Sequence, residues 1–414
     1  MPALQPARGT QDILPETMRR HRVVIDAARM IAARYGYEEI ATPMFEFTEV
    51  FARPIGEATD IVAKEMYTFA DRGGEEVTLR PEYTAGIVRA VISNGLTQSL
   101  PLKFFACGPM FRYERPQKGR FRQFHQIDVE LIGAGTPESD VETIALGADT
   151  LAELGVLGHC ELQLNTLGDA DSRQAYRAAL VDYFAAHRHR LSEDSLRRLE
   201  RNPLRILDSK DTGDVAVNAD APSFDSYLTD AARDFFARVR RGLDALGIAY
   251  RLNPRLVRGL DYYCHTAFEF VTGQLGAQGT VLGGGRYDGL MKLMGGPEVP
   301  GIGWAAGVER LALLIAAPPT PTRPIAMIPL GDAGEGKAMT IARELRQAGF
   351  TVDQAYSGNL SRRMKRANKI AARAAVILGD DELAHGTAAV RDLDSGEQIE
   401  VPLAQLKDRL APFR

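Results

Sequence analysis

The chain carries only three cysteines, Cys107, Cys160 and Cys264, spread over 414 residues. No two sit at metal-ligand or redox-motif spacing. A disulfide framework, a cysteine zinc site and a CxxC redox centre are therefore not expected, and a reducing compartment, the cytoplasm, is. No run approaches the ~18 apolar residues of a membrane-spanning helix, so no membrane association is expected. The first fourteen residues are poor in apolar side chains and include Arg8 and Asp12, unlike a secretory signal. There is no excess of positive charge either. Fifty basic and 54 acidic residues leave a net charge of −4, so any attraction to nucleic acid must come from local patches. No internal repeat is evident.

What is present is a globular composition, 45% hydrophobic and 25% charged, in a chain long enough for two or three domains. Thr17 to Tyr35 has the period of an amphipathic helix, with Val24, Ala27, Ala28, Ile31 and Ala32 on one stripe. Glu39 to Pro43 reads as a strand ended by proline. Leu102 to Met110 and Phe121 to Leu131 read as two arms of a hairpin around the basic loop Pro116–Arg120. Ser139 to Leu154 and Ser172 to His187 read as helices flanking a strand at Glu161 to Asn165. Residues from about 170 to 250 are mostly helical and charged, which reads as an insertion. A strand at Tyr263 to Val271, a glycine-rich turn and a helix at Val308 to Ile315 follow.

The proline-rich stretch from Ala316 to Pro324 reads as a linker. Beyond it, strands at Ile325–Pro329, Thr351–Gln354 and Ala375–Leu378 alternate with helices at Gly336–Ala348 and Leu360–Ala372. That predicts a small α/β domain over 325–414, after a larger domain over 1–320. The stretch Gly331–Lys337 fits the first seven places of a phosphate loop. Ala338 stands where the magnesium-binding Ser or Thr is needed, so it reads as a strand-to-helix turn.

The second hairpin arm is the most informative segment. Alternate residues share a face of a strand, so Phe124, Gln126, Asp128 and Glu130 point one way and Ile127, Val129 and Leu131 the other. An amide and two carboxylates in a row suit an ammonium or imidazole group. Arg112, Arg115, Arg120 and Arg122 near the hairpin end suit phosphates. An exposed amphipathic hairpin with paired surface charges accounts for the same residues equally well. Ser361 to Arg373 holds six basic residues and no acid, by default a solvated helix face.

Several motifs then agree. Gly108–Arg115 followed by Arg122–Gln126 resembles motif 2 of the class II aminoacyl-tRNA synthetases in its histidyl form, preceded by Thr78-Leu79-Arg80-Pro81-Glu82. Leu256–Tyr263 and Gly283–Leu290 resemble the two histidine-specific signatures. Gly307-Val308-Glu309-Arg310-Leu311 resembles motif 3, and the stretch around Tyr37–Pro43 resembles motif 1, a dimer-interface element. The resemblance runs from Arg8–Asp12 to the C-terminal domain. It departs from the family at Tyr83, where bacterial members often have glycine, and at Asp128, where a small residue is common. Cys264-His265 follow the tyrosine pair where the family varies. With no third ligand nearby they read as strand packing, and no protein-held metal is expected.

The resemblance to histidyl-tRNA synthetases implies an α/β (α+β) fold. A class II catalytic domain with a mixed, mainly antiparallel sheet would be joined to a small C-terminal α/β anticodon-binding domain. It implies an enzyme that activates histidine with ATP, accompanied by Mg²⁺, and charges tRNA(His) as a homodimer. Glu82, Thr84 and Gln126 would hold the α-ammonium, with Tyr83 also among the histidine-binding residues. Glu130 and Tyr263 would hold the imidazole, with Tyr262 and Tyr287 shaping the pocket. Arg112 would contact the α-phosphate and Glu114 the adenine edge. Phe124 and Arg310 would sandwich the ring, and Arg120 would reach the terminal phosphates. Arg258, with Arg112, would be the catalytic cation joining carboxylate and α-phosphate. For tRNA the resemblance implies Arg362, Arg363, Lys365, Arg366 and Lys369 at the anticodon, Gln117 at the acceptor end and the inserted helical region over the acceptor arm. Arg112, Arg258, Arg310 and the C-terminal domain set the chain apart from non-catalytic relatives that serve as regulatory subunits in histidine biosynthesis.

Overall fold

The computed structural model describes the chain apart from residues 1, 2, 57, 58, 60, 118, 202, 208, 257–261, 277, 278 and 317–319, and apart from the side chains of Glu200, Arg201 and Arg205. It divides into two units, Met1–Pro319 and Thr320–Arg414.

The first unit opens with the helix Pro15–Arg34. Pro15 needs no hydrogen-bond partner in the first turn, and Glu16 favours the positive helix start. Val24, Ala28, Ile31 and Ala32 bury one stripe. Among the described residues eight strands form the main sheet, in the order Glu38–Glu39, Leu102–Phe111, Gln123–Ile132, Gly301–Gly307, Thr280–Arg286, Cys264–Val271, Glu161–Thr166 and Arg251–Leu252. Pairing is antiparallel through the centre and parallel at both edges. The helices Pro15–Arg34, Pro137–Glu153, Asp230–Ala245 and Val308–Leu314 pack with the sheet in one core, built on Ile127, Val129, Leu131, Phe268, Phe270 and Trp304.

The hairpin arms pair without interruption from Leu102↔Ile132 to Phe111↔Gln123. Three sequence expectations need correction. The strand expected at Glu39–Pro43 stops at Glu39. Pro43 has no N–H to donate, and the Thr42 carbonyl is taken by Arg80 Nη1 at 2.7 Å. The glycine-rich turn is a central strand, Thr280–Arg286. Its glycines permit close approach: a Cβ at Gly284 would lie 2.6 Å from the Cβ of Trp304. The insertion is shorter than 170–250. Helix Ala170–Ala186 and the shorter helices after it bury their own cluster of Tyr176, Leu180, Phe184, Leu199 and Val217. Asp230–Ala245 instead contributes Val239 and Leu243 to the main core and lies against Pro137–Glu153.

A small sheet, Phe45–Phe47, Glu76–Leu79 and Tyr67–Ala70 with Glu76–Leu79 in the middle, completes this unit. Its Phe45, Phe47 and Phe69 stay about half exposed.

The second unit has a five-stranded sheet, Val352–Gln354, Ile325–Pro329, Ala374–Leu378, Thr387–Asp392 and Gln398–Pro402. The first three strands are parallel and the last two antiparallel. Clusters on its two faces bury alternate residues of Ile325–Pro329, Ile325 and Met327 on one side and Ala326 and Ile328 on the other. Helix Gly331–Gln347 begins five residues before the expected Gly336, so the phosphate-loop look-alike is helix rather than turn. Gly334 passes so close to the sheet that a Cβ there would lie 2.5 Å from the Leu378 carbonyl. The basic helix spans Leu360–Lys369, shorter than expected.

Candidate active site

The polar face of the second hairpin arm lines a cavity of about 200 Å³ in the first unit. Phe124, Gln126 and Asp128 come from this arm, Glu82 and Thr84 from the start of helix Thr84–Ser93, and Tyr262 and Tyr263 from the chain entering strand Cys264–Val271. Arg112, Glu114 and Arg120 from the hairpin, and Arg310 from Val308–Leu314, line it too. Carboxyls and guanidinium groups therefore share one cavity. Glycine and alanine of the neighbouring strands make room for them: Gly283, Ala305 and Gly307 form part of the wall.

Each acid is positioned by hydrogen bonds. Glu82 accepts from the backbone N–H of Thr84 at 2.7 Å and of Ala85 at 2.9 Å, capping the helix. Glu130, just behind the wall and 1% exposed, accepts from the Thr84 hydroxyl at 2.6 Å and from the Tyr287 hydroxyl. A Cβ at Gly303 would overlap the Glu130 carboxylate, and one at Gly301 the Tyr287 ring. Burial pushes the Glu130 carboxyl up to about 8, against the pull of its two hydroxyl donors. Burial also raises Glu82, and raises Asp128 well above the carboxylate range with Glu130 and Glu82 adding to it. Tyr262 and Tyr263 stack at 4.7 Å between centroids, and Tyr287 meets Tyr262 edge-on at 6.0 Å.

Arg112 donates to the Pro81 carbonyl at 2.8 Å and lies 5.4 Å from the centroid of Phe124. Arg120 pairs with buried Glu114. Arg310 donates to the Thr280 carbonyl at 2.6 Å. Burial lowers the pKa of all three guanidinium groups, yet they remain cationic at any ordinary pH. Of the four hairpin arginines assigned to phosphates, Arg115 and Arg122 do not line the cavity. Arg122 is stacked 3.7 Å from the Tyr113 centroid and braces the loop.

Tyr83 is also displaced from its expected place. It is 1% exposed and packs in a second core cluster, with the Arg80 guanidinium 4.2 Å from its centroid. Gly108 leaves the room for that stack. Arg258 lies outside the described residues.

Two positioning residues escaped the sequence reading. Arg286, fully buried, donates to Asp140 at 3.0 Å, Asp288 at 2.8 Å and Ser139 at 2.7 Å, tying the glycine-rich strand to helix Pro137–Glu153. Glu309 accepts from the His125 backbone N–H with both oxygens at 3.0 Å, and its Oε1 lies 2.9 Å from the ring Nδ1. His21, His125 and Glu309 have ligand-type atoms within 4.8 Å of one another. Because Glu309 is already engaged with His125, this trio reads as a clasp rather than a metal cage. Each residue sits inside a motif whose neighbours drew attention, and none carries a local signal of its own. Cys264 and His265 pack as expected: the thiol accepts from the Asp288 N–H at 3.4 Å and the imidazole lies 4.7 Å from Phe235.

Residues 9–311 match the family model described as histidyl-tRNA synthetase. The chain belongs to the histidyl-tRNA synthetase family. Residues 325–411 match the model described as anticodon binding domain. Among relatives of this synthetase family, the histidine–tRNA ligase of Rhodospirillum rubrum is 62% identical over 414 residues, 100% of both chains. That of Gluconacetobacter diazotrophicus is 56% identical, covering 100% of this chain and 99% of its own. The solved structure of apo histidyl-tRNA synthetase from S. aureus superposes with a TM-score of 0.84 at 35% identity, covering 98% of this chain and 99% of that one.

The elements expected to meet RNA in a histidyl-tRNA synthetase are mostly exposed. Gln117 is exposed near the hairpin tip, bridged to Arg120 through backbone N–H···O bonds of 3.1 and 2.9 Å. Arg362, Lys365, Arg366 and Lys369 are exposed on the basic helix, Arg366 pairing with Asp353 at 2.9 Å. Arg363 is the exception. It is 6% exposed and turned inward, donating to the carbonyls of Gly358 and Pro329 and to Glu335, so it fastens the helix instead of facing a partner.

Proposed function

We propose that the cavity between the polar hairpin face and the three arginines is where this chain activates histidine. The chain is a histidine–tRNA ligase: it converts histidine and ATP into histidyl-adenylate and pyrophosphate, then transfers the histidyl group to the 3′ end of tRNA(His). The observation that carries the site assignment is the polar row of Gln126 and the buried acids Asp128 and Glu130, on the strand that lines the cavity with Arg112, Arg120 and Arg310. A cationic amino acid suits the acids, and a polyphosphate suits the guanidinium groups.

In the first step an oxygen of the histidine carboxylate attacks the α-phosphorus. The new P–O bond forms as the bond to the β-phosphate breaks, and pyrophosphate leaves with its electron pair. The attacking carboxylate is already ionised, so no general base is needed. Catalysis rests on fixed cations facing the charge that builds on the α-phosphoryl oxygens. Arg112, which lines the cavity, takes this task together with Arg258, to which the resemblance assigns it. In the second step a ribose hydroxyl of the terminal nucleotide attacks the histidyl carbonyl, and AMP departs. Phe124 and Arg310 hold the adenine, with Arg120 and Glu114 exchanging their mutual ion pair for contacts to the nucleotide.

Glu130 and Tyr263 receive the imidazole, with Tyr262 and Tyr287 as walls. A site that offers Glu130 to an imidazole N–H discriminates by hydrogen bonding rather than by size, and such sites reach ~10⁴–10⁵ selectivity. Mg²⁺ enters as part of the substrate, carried on the phosphates of ATP. The exposed aromatics Phe45, Phe47 and Phe69 support a homodimer, and the sparse, separated cysteines support a cytoplasmic location.

Histidine-dependent ATP–pyrophosphate exchange tests this reading, with the other amino acids as controls. Exchange with histidine alone is expected. A folded protein that exchanges with none of them would overturn the assignment. Arg258→Ala is expected to lower exchange by orders of magnitude without moving Tm, and near-normal exchange would remove Arg258 from the mechanism.

A further inference from the structure

Tyr262 and Tyr263 adjoin in sequence, and adjoining residues on a regular strand face opposite ways. Yet both line the cavity, and their rings stack on each other. The strand that follows them is irregular at its start. Against strand Thr280–Arg286, Ala267 pairs with Gly285 but Cys264 pairs with Arg286, so His265 and Thr266 are extra residues in a β-bulge. His265 sits at φ +44°, the left-handed region that a non-glycine residue seldom adopts. Gly285 makes the space: a Cβ there would lie 2.6 Å from the Thr266 carbonyl oxygen and 2.9 Å from the Tyr263 ring.

Such a conformation persists where its surroundings fix it, and here much of the fixing comes from the start of the inserted helical region. His265 exchanges both backbone bonds with the chain entering that region. Its N–H donates to the Gly168 carbonyl at 2.8 Å, and its own carbonyl accepts from the Leu167 N–H at 2.6 Å. Its imidazole rests on Phe235 of helix Asp230–Ala245. Asp169 comes next along the chain. It caps helix Ala170–Ala186 by accepting from the Ser172 N–H at 2.8 Å, and it accepts from the Thr229 hydroxyl at 2.5 Å, which ties the entry of the insertion to its exit. In the first turn of that helix, Arg173 reaches back and donates through Nη1 to the Tyr263 carbonyl at 2.9 Å. A guanidinium on a carbonyl is a charge-assisted bond with a defined direction, so it fixes the peptide after Tyr263 in place and orientation.

We propose that Arg173 and His265 are positioning residues of the histidine pocket. Neither lines the cavity, but together they hold the Tyr262–Tyr263 pair in its wall. This rests on the reading of the cavity as the histidine site. The left-handed turn at His265 directs the chain toward the cavity, and Arg173 anchors it by the Tyr263 carbonyl. The arginines and Phe124 at the nucleotide end take no part in the bulge, so the effect falls on histidine and not on ATP.

The test is ATP–pyrophosphate exchange by the full-length protein, with KM read for each substrate. Arg173→Met keeps the aliphatic stem and removes the donor. Its KM for histidine should rise several-fold, toward the roughly tenfold that one charge-assisted hydrogen bond is worth, while its KM for ATP stays within about twofold. Arg173→Lys retains a donor and should recover part of the loss. At the bulge, the branched side chain of His265→Val resists the left-handed region and should raise the histidine KM in the same way. His265→Gly adopts that region freely and should stay closer to the wild type. If Arg173→Met does not fold, the His265 pair decides alone. A rise in both KM values together would overturn the proposal, as would a fall in Tm with both KM values unchanged, since the two residues would then only fasten the insertion. His265→Gly matching His265→Val would overturn it too. A wild type that does not exchange with histidine would instead remove the reading of the site itself.

Discussion

Glu130 gathers several physical demands in one side chain. It is buried among tyrosines, held by two hydroxyls, and its carboxyl keeps a proton up to about pH 8 in the folded protein, against an ordinary value of 4.5. Between those values the folded state binds more protons than the unfolded chain. The stability present below 4.5 is therefore lost as pH rises toward 8. Glu130→Gln has nothing to titrate there, so its Tm should fall less over that window than the wild type's. The check is a difference curve of Tm against pH; a flat one would mean that Glu130 ionises at its ordinary pH. Much of the site was legible at this scale, because alternation along one strand placed Gln126, Asp128 and Glu130 on one face. Tyr83 was misplaced because its neighbours Glu82 and Thr84 reach the cavity while it turns into the core on Arg80. No local pattern reveals that turn. Nor did spacing along the chain reveal that Glu309 and His125, or Arg286 and Asp140, meet.

Among elements, those whose sequence matches one period were readable. The hairpin arms and the helix Pro15–Arg34 fall within two residues of expectation. The strands Thr280–Arg286 and Gly301–Gly307 were not, since glycine supplies neither alternation nor strand propensity. Helix Asp230–Ala245 was assigned to the insertion because charge dominates its sequence, although Val239 and Leu243 suffice to seat it on the main core. The basic helix Leu360–Lys369 shows how a charge run divides between outward and inward roles. Lys365→Ala with Lys369→Ala should weaken tRNA binding and flatten its salt dependence by up to about two phosphate contacts, with Tm unchanged. Arg363→Ala should instead lower stability by roughly 1–3 kcal/mol, because it strips a buried carbonyl of its donor. Filter binding at several salt concentrations, alongside thermal melts, separates the two; a pure binding defect in Arg363→Ala would reverse the assignment.

At the scale of the molecule, each of the two units, Met1–Pro319 and Thr320–Arg414, closes its own core. Composition could not show which surface is left apolar. Phe45, Phe47 and Phe69 are 58%, 56% and 48% exposed on the small sheet, more apolar surface than a lone strand face usually leaves to water. Phe45→Glu with Phe47→Glu should convert a dimer to monomers by light scattering, with the change depending on protein concentration. A wild type already monomeric at micromolar concentration would rule the dimer out. The room around Glu130 and Tyr287 is made by side chains that are absent, at Gly303 and Gly301. Such a cast is inherited in an unusual way. Every first- or second-position change in a GGN codon replaces glycine, so the floor of this pocket is written in codons where only the third base can drift silently.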